Sequence, residues 1–226
     1  MGIDDYTRSR PRTGASVVKG LMANQAATVT LETERLLVTL PGPEAAPRMV
    51  TYFETNRAHL SPWEPPFPKG MFSNGFWERR LTQNRHEYRV GRSMRLVFFD
   101  RHEPDGAIVG LANFTQFVRG AFMACTLGYS LDEDAQGQGL MTEALQASLR
   151  HVFDELGMHR VMANHMPINE RSGALLKRLG FQVEGYARDY IYINGAWRDH
   201  LLTALVHDEA PLPDYLTGEL VTKRRS

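Results

Sequence analysis

The stretch Ser130–Glu143, SLDEDAQGQGLMTE, decides how the rest of the chain is read. It passes from a strand end through a tight glycine turn into a helix start. The residues just before it, FMACTLGY over 122–129, suit a buried strand. Gly137 and Gly139 stand one residue apart, where the chain must turn sharply or approach a ligand closely. From Leu140 the apolar period becomes helical, with Met141, Leu145, Leu149, Val152 and Leu156 recurring at threes and fours. A helix that opens directly after glycines presents unpaired backbone N–H groups and the positive end of its dipole. Phosphate binds such a mouth without a basic side chain. The functional reading is a pyrophosphate cradle built from the N–H groups of Gln136, Gly137, Gln138, Gly139, Leu140 and Met141. The plain reading is an ordinary strand–turn–helix. A Walker loop is excluded because no Gly-Lys-Ser/Thr follows. The dinucleotide pattern fails because Thr142 stands where its third glycine belongs.

Composition sets the bounds. The 226 residues, 42% apolar and 23% charged, are those of a soluble globular chain, long enough for one domain with a sizeable core. Zero formal net charge argues against generic binding to nucleic acid or to an anionic membrane surface, though not against a local patch. The one cysteine, Cys125, excludes an internal disulfide framework and a thiolate zinc cluster. It fits a reducing, cytoplasmic compartment and reads as a small core residue. No apolar run approaches the ~20 residues that span a bilayer, and no secretory h-region is visible near Met1. The histidines lack H-E-x-x-H spacing, so no metal is expected.

Residues 1–27 are polar, carry Arg8, Arg10 and Arg12, and read as a mobile tail. Residues 28–40 (TVTLETERLLVTL) read as the first strand, stopped by Pro41-Gly42-Pro43. A helix is expected from Glu44 to about Leu60, with Met49, Tyr52, Phe53 and Leu60 facing a core. The proline-rich Ser61–Pro68 loop follows, where Trp63 and Phe67 either plug a gap over the core or line a substrate groove. A second helix runs from about Ser73 to Val90, with Phe76, Leu81 and Tyr88 inward. Three strands joined by short turns come next, over 94–100, 108–118 and 121–131. The glycine turn and its helix end near Gly157. Arg160–His165 reads as a strand, and Asn169 caps a helix over 170–179 that Gly180 closes. Residues 181–187 and 197–206 form strands around the Asn194-Gly195 turn, and 207–226 a loose tail ending in Lys223-Arg224-Arg225. The order predicts a mixed, mostly antiparallel seven-stranded α/β sheet with helices on both faces, in one domain over 28–206.

That order, with Gly137-x-Gly139 opening the central helix and Asn169-Glu-Arg-Ser172 the next, resembles the GNAT superfamily of N-acetyltransferases. Further stretches narrow the likeness: Thr33-Glu-Arg-Leu, Ser61-Pro-Trp-Glu-Pro, Leu127-Gly-Tyr-Ser, Arg160-Val-Met-Ala-Asn, Leu179-Gly-Phe, Glu184-Gly-Tyr-Ala-Arg-Asp-Tyr and Trp197-Arg-Asp-His. In that order over residues of about 30 to 205, they resemble the ribosomal-protein-alanine N-acetyltransferases. The resemblance implies transfer of an acetyl group from acetyl-CoA to an amine, foremost the N-terminal alanine of a ribosomal protein. It implies a monomer or homodimer with no membrane and no direct nucleic-acid partner. The superfamily's phosphate motif usually starts with Gln or Arg three residues before the first glycine. Asp134 holds that place here, so phosphate binding should lean on N–H groups.

By the same resemblance the sheet splays after the strand that precedes the glycine turn, and the pantetheine arm lies in the gap like an added strand. Leu127, Gly128, Tyr129, Ser130 and Leu131 would offer backbone groups to it, and the N–H of Gly128 or Tyr129 would stabilise an oxyanion. Asn169 would bond the arm, serve only as a helix cap, or do both. Ser172 would protonate the leaving thiol, or is a plain first-turn serine. Arg171 would meet a phosphate or a surface carboxylate. Candidate bases are Glu64, Asp189 and Asp199, though each reads first as a loop or strand-end carboxylate paired with a neighbouring arginine. Tyr129 and Tyr190 are weaker candidates for general acid. Asn113 and Asn164 would hold the acceptor backbone, with Trp63, Phe67 and Tyr190 lining its side. Two other readings stand beside this one. The first is acetylation of a small amine such as an antibiotic or polyamine, and the second a non-catalytic ribosome-binding or assembly module with the same fold.

Overall fold

The computed structural model describes residues 28–208 and 210. The tail readings for 1–27 and for most of 207–226 therefore lie outside the described residues. Eight strands form one sheet: β1 (Thr30–Glu32), β2 (Leu36–Thr39), β3 (Met94–Asp100), β4 (Ile108–Val118), β5 (Ala124–Leu131), β6 (Arg160–Met162), β7 (Gln182–Ile193) and β8 (Ala196–Val206). Their order is β1-β2-β3-β4-β5-β6-β8-β7. Every pairing is antiparallel except that of β5 with β6.

The expected seven strands become eight because 28–40 is a hairpin. Thr33 turns the chain back on itself: its N–H donates to the Leu36 carbonyl (2.9 Å), and the Leu36 N–H donates to its hydroxyl (2.9 Å). Such local side-chain bonds offer the backbone an alternative to a continued ladder. β6 also ends sooner than expected. At Ala163 the chain leaves β5 and follows β8, the Ala163 N–H donating to the Thr203 carbonyl (3.0 Å) and His165 bridging to Leu201.

Alternation along the strands splits the interior into two cores. On one face Leu36, Val38, Leu96, Phe98, Ala112, Phe114 and Leu127 pack under α4 (Leu140–Arg150) and α5 (Glu170–Arg178). On the other face Val97, Phe99, Ile108 and Leu111 pack under α1 (Ala46–Thr55), the short α2 (Arg57–Leu60) and α3 (Asn74–Arg89). The helical repeat read from Met141 to Leu156 is buried throughout. Its last turn widens into a π-helical segment, His151–Glu155, with the Leu156 N–H donating to the His151 carbonyl (3.1 Å). Ser73, at the expected start of this helix, caps α3, and Cys125 is fully buried. Within α3 the sequence reading missed Trp77, which stacks on Phe53 with ring centroids 5.1 Å apart.

The expected single helix over 44–60 breaks at Asn56. This residue is 1% exposed and fully employed. Its Nδ2 donates to the Tyr52 carbonyl (3.0 Å) and to Asp132 Oδ2 (2.8 Å), while its Oδ1 accepts from the Glu133 N–H (2.9 Å). It thereby ties the α1–α2 kink to the start of the glycine turn. Asn56→Ala leaves those buried groups unsatisfied and should lower stability by about 2–3 kcal/mol in urea unfolding. A loss under about 0.5 kcal/mol would show that water replaces the amide without cost.

Candidate active site

Gly137 and Gly139 both adopt the left-handed conformation, φ 75° and 79°. This conformation brings the chain from the end of β5 into α4 with its N–H groups fanned at the helix mouth. The Gln136 N–H is taken by the Glu133 carbonyl (3.3 Å), and the Glu143 N–H by the Gly139 carbonyl (3.1 Å). Between them, the N–H groups of Gly137 to Thr142 find no acceptor among the described residues. Met141 buries its side chain in the core and leaves its N–H in this row. The mouth thus presents consecutive free donors at the positive end of an eleven-residue helix.

A residue that sequence reasoning gave no role locks this turn. Arg35, on the β1–β2 turn, donates from its backbone N–H to Glu143 Oε1 (2.8 Å) and from Nε to Glu143 Oε2 (2.7 Å). Its Nη1 donates to the Gln138 carbonyl (2.9 Å). Burial alone would raise the Glu143 carboxyl, but bonds from Thr33 and Arg35, with the guanidinium charge, hold it below the usual range. Asp134, in the place of the usual Gln or Arg, is exposed and accepts from Gln138 Nε2 at its carbonyl (3.1 Å).

Beside the glycine turn the sheet opens. β5 pairs with β6 only over Ala124–Thr126, whereas it pairs with β4 as far as Leu131. From Leu127 to Leu131 the edge facing β6 therefore has no strand beside it, and alternate residues turn their N–H and C=O groups into the gap. Gly128 is exposed there, and a Cβ on it would meet nothing within 4 Å. Across the gap lies the first turn of α5. Asn169 caps it, its Oδ1 accepting from the Ser172 N–H (3.1 Å). The Ser172 and Tyr129 hydroxyls share a hydrogen bond at 2.7 Å. Burial pushes the Tyr129 phenol up to about 12, against a lowering from Ser172, so it is neutral and able to donate at physiological pH. Arg171 has no carboxylate within salt-bridge distance among the described residues; it donates to Gln136 Oε1, while Gln136 Nε2 donates to His59 Nε2 (2.6 Å).

Ser130 faces the opposite side of the sheet and shares a hydrogen bond with the Tyr52 hydroxyl (3.1 Å). Burial raises the Tyr52 phenol well beyond the ordinary range, offset by Ser130 and reinforced by the nearby carboxylates of Asp132 and Glu64. Glu64 therefore stands on this face, and burial lifts its carboxyl from 4.5 to about 7. Asn113 pairs with Gly128 across β4 and β5. Of the two loop aromatics, Phe67 plugs the second core, 6.0 Å from Phe53 and 5.8 Å from Phe72, while Trp63 is exposed.

The remaining candidates gather on β6 to β8. Asn164 Nδ2 donates to the Tyr190 hydroxyl (3.2 Å), and its Oδ1 accepts from the Thr203 N–H (3.3 Å). Asp189 is exposed at the β7 irregularity with φ 48°, its N–H donating to Asp199 Oδ1 (2.9 Å). Asp199 also accepts from the Tyr186 hydroxyl, which with the Asp189 N–H holds its carboxyl below the usual range and makes it a poor base. The structure thus brings Tyr129, Ser172 and Asn169 together at the gap, with Glu64 and Asn113 reached through its other face.

Residues 35–182 match a family model described as an acetyltransferase (GNAT) domain. Over 190 residues, 84% of this chain and 94% of the relative, the sequence is 45% identical to the ribosomal protein uS5-alanine N-acetyltransferase of Escherichia coli (strain K12). The solved ribosomal-protein-S5-alanine acetyltransferase of Vibrio fischeri superposes with a TM-score of 0.78 at 36% identity, covering 81% of this chain and 100% of that one. Mycobacterium smegmatis RimJ in complex with CoA-disulfide gives 0.73 at 29% identity, covering 87% and 95%.

The raised Glu64 carboxyl has a consequence for stability. Folding favours its protonated form, so its stabilising contribution is complete below pH 4.5 and is lost as pH rises through about 7. Glu64→Gln keeps the neutral form at every pH. The stability of the variant relative to wild type should therefore climb by up to about 3 kcal/mol between pH 4.5 and pH 8 in urea titrations. A constant difference would make Glu64 an ordinary surface carboxylate.

Proposed function

The chain belongs to the GNAT acetyltransferase family, and from that premise we propose that it acetylates the N-terminal alanine of a ribosomal protein, with acetyl-CoA as the donor. The reading rests on one observation above all: the parting of β5 from β6 connects two chemically different faces of the sheet. The free N–H groups of Gly137 to Thr142 fit a diphosphate, and the open edge of Leu127–Leu131 fits an extended amide chain. Acetyl-CoA supplies an acyl thioester, an activated carbonyl. The N–H of Gly128 or of Tyr129, of which the alternation turns one into the gap, is the candidate to take up negative charge on that carbonyl. The neutral hydroxyls of Tyr129 and Ser172 are the proton source for the departing thiolate. Asn169, by this reading, keeps Nδ2 for the pantetheine arm while its Oδ1 caps α5.

On the other face Glu64 takes the proton that the amine must lose. An α-amine titrates at ~7.7–8.0 and a lysine side chain at ~10.4. A carboxyl at about 7 is matched to the first and falls roughly three units short of the second. The same match disfavours polyamines, whose amines resemble lysine. The similarity to the uS5-alanine enzyme supports alanine as the first residue of the acceptor.

An Ala-starting ribosomal-protein peptide should release free thiol from acetyl-CoA, and kcat/KM should rise with pH through a limb near 7. Glu64→Gln should lower kcat/KM by about 10²-fold or more and erase that limb. Equal turnover of a peptide with a blocked α-amine and an internal lysine would refute the α-amine assignment. A separate measurement bears on the cradle. Among the described residues, apart from its two chain neighbours, nothing lies within 4 Å of a Cβ on Gly137, so Gly137→Val leaves that packing alone but strains a left-handed residue at the helix mouth. Its affinity for CoA by calorimetry should fall at least about tenfold, as expected for a helix-mouth phosphate site. Unchanged affinity would place the diphosphate elsewhere.

A further inference from the structure

The chain is neutral overall, yet its positive charge is unevenly spread. Residues 74–95, which are α3 and its exit into β3, carry six arginines against two glutamates. Among the described residues, only one of the two acids lies within salt-bridge distance of an arginine. Glu87 accepts from the Ser93 hydroxyl (2.7 Å) and from Gln83 (3.2 Å) and lies 4.0 Å from Arg95. Glu78 pairs with no arginine among the described residues. Arg79, Arg89 and Arg92 are exposed and have no carboxylate within salt-bridge distance among the described residues.

A cleft of about 280 Å³, lined by Pro43, Thr82, Arg85 and Arg89, lies between α3 and the turn before α1. Arg85 is pre-positioned in it. A Cβ on Gly42 would come within 2.6 Å of the Arg85 Cζ, so the guanidinium lies across a bare glycine backbone. Its one carboxylate neighbour is Glu44, at 3.6 Å.

We propose that this arginine face of α3, centred on Arg85 and Arg89, docks the phosphodiester backbone of structured RNA. Arginine forks suit phosphate oxygens; Arg85 and Arg89 lie one helical turn apart on one side of α3, and the eleven residues from Arg79 to Arg89 span about 15 Å. Among the large exposed apolar residues only Val90 belongs to this stretch, since Trp77 and Tyr88 are buried. Among the described residues of this stretch no exposed aromatic offers a platform on which unpaired bases could stack, which favours the backbone of a duplex over a single strand. The apolar stripe of α3 is covered by the second core, so the helix has nothing to insert into a lipid surface. The choice of RNA among polyanions rests on the proposed acceptor, a protein that resides among ribosomal RNA. The surface also lies apart from the gap, on residues with no part in transfer.

The test is fluorescence anisotropy of the full chain with a labelled RNA duplex of about 20 base pairs, without acetyl-CoA, at 50 and 200 mM KCl. Four phosphate contacts predict about a 100-fold loss of affinity across that range. Arg85→Ala/Arg89→Ala should weaken binding at 50 mM at least about tenfold and flatten the salt slope, with acetylation of free peptide unchanged. Glu44→Gln should tighten binding. The proposal is overturned if the double variant binds like wild type, which would point to the basic residues of the termini. It is equally overturned if an acidic peptide of matched charge binds as well as the duplex. Failure of peptide acetylation with RNA binding intact would sink the acceptor and leave the docking face standing.

Discussion

A strand that stays with one neighbour and abandons the other is the constraint on which this molecule turns. β5 keeps β4 beside it to Leu131 but loses β6 after Thr126. Backbone donors and acceptors left along such an edge are costly when buried and cheap when a solvent or ligand reaches them. The gap therefore survives only because it is open, and both lips are held from outside it. On one side Asn56 anchors Asp132 and Glu133, where β5 ends. On the other, the chain after Met162 is drawn onto β8, and α5 settles directly on His165. A Cβ on Gly173 would fall 2.9 Å from the His165 Cε1, so the absence of a side chain lets the helix approach that closely.

With the lips fixed, the two faces acquire different chemistry from the same sequence alternation. Tyr129 projects towards α5 and Ser130 towards α1, each meeting a hydroxyl partner. Burial acts on both faces but does different work. It keeps the Tyr129 proton on, up to about 12, which makes a donor. It brings the Glu64 carboxyl to about 7, which makes a group able to accept at neutral pH. Desolvation disfavours the anion of both groups and raises both; they part as acid and base because the phenol starts from 10.0 and the carboxyl from 4.5.

Much of this was legible in the chain itself. The helical repeat from Met141, the Asn169 cap and the Asn194-Gly195 hairpin turn depend on neighbours in sequence, and each appears as read. Local patterns also separated the two strands on either side of the gap. Sequence could not say which carboxylate folding would desolvate: Glu64 stands between Trp63 and Pro65, Asp189 and Asp199 each beside an arginine, and what packs over them is set by distant parts of the chain. Folding distinguishes them: Asp189 is exposed, Asp199 is satisfied by Tyr186 and the Asp189 N–H, and Glu64 is desolvated. The Tyr129–Ser172 bond spans 43 residues, and no periodicity encodes such a distance.

The two largest misses have one cause. Reading 28–40 as a single strand hid the turn at Thr33–Arg35, and that turn is what delivers Arg35 to the glycine loop. The placement solves an electrostatic problem. Glu143, in the first turn of α4, suits the positive end of the helix but would repel a diphosphate arriving at the same end. The Arg35 guanidinium, 2.7 Å from the Glu143 carboxylate, neutralises it in place. Its bond to the Gln138 carbonyl turns that acceptor away from the row of free N–H groups. A short hairpin at the sheet's edge, whose Leu36 and Val38 also fill the first core, thereby sets the sign of the potential at the helix mouth. The eighth strand is in this sense part of the site, although no residue of it faces the gap.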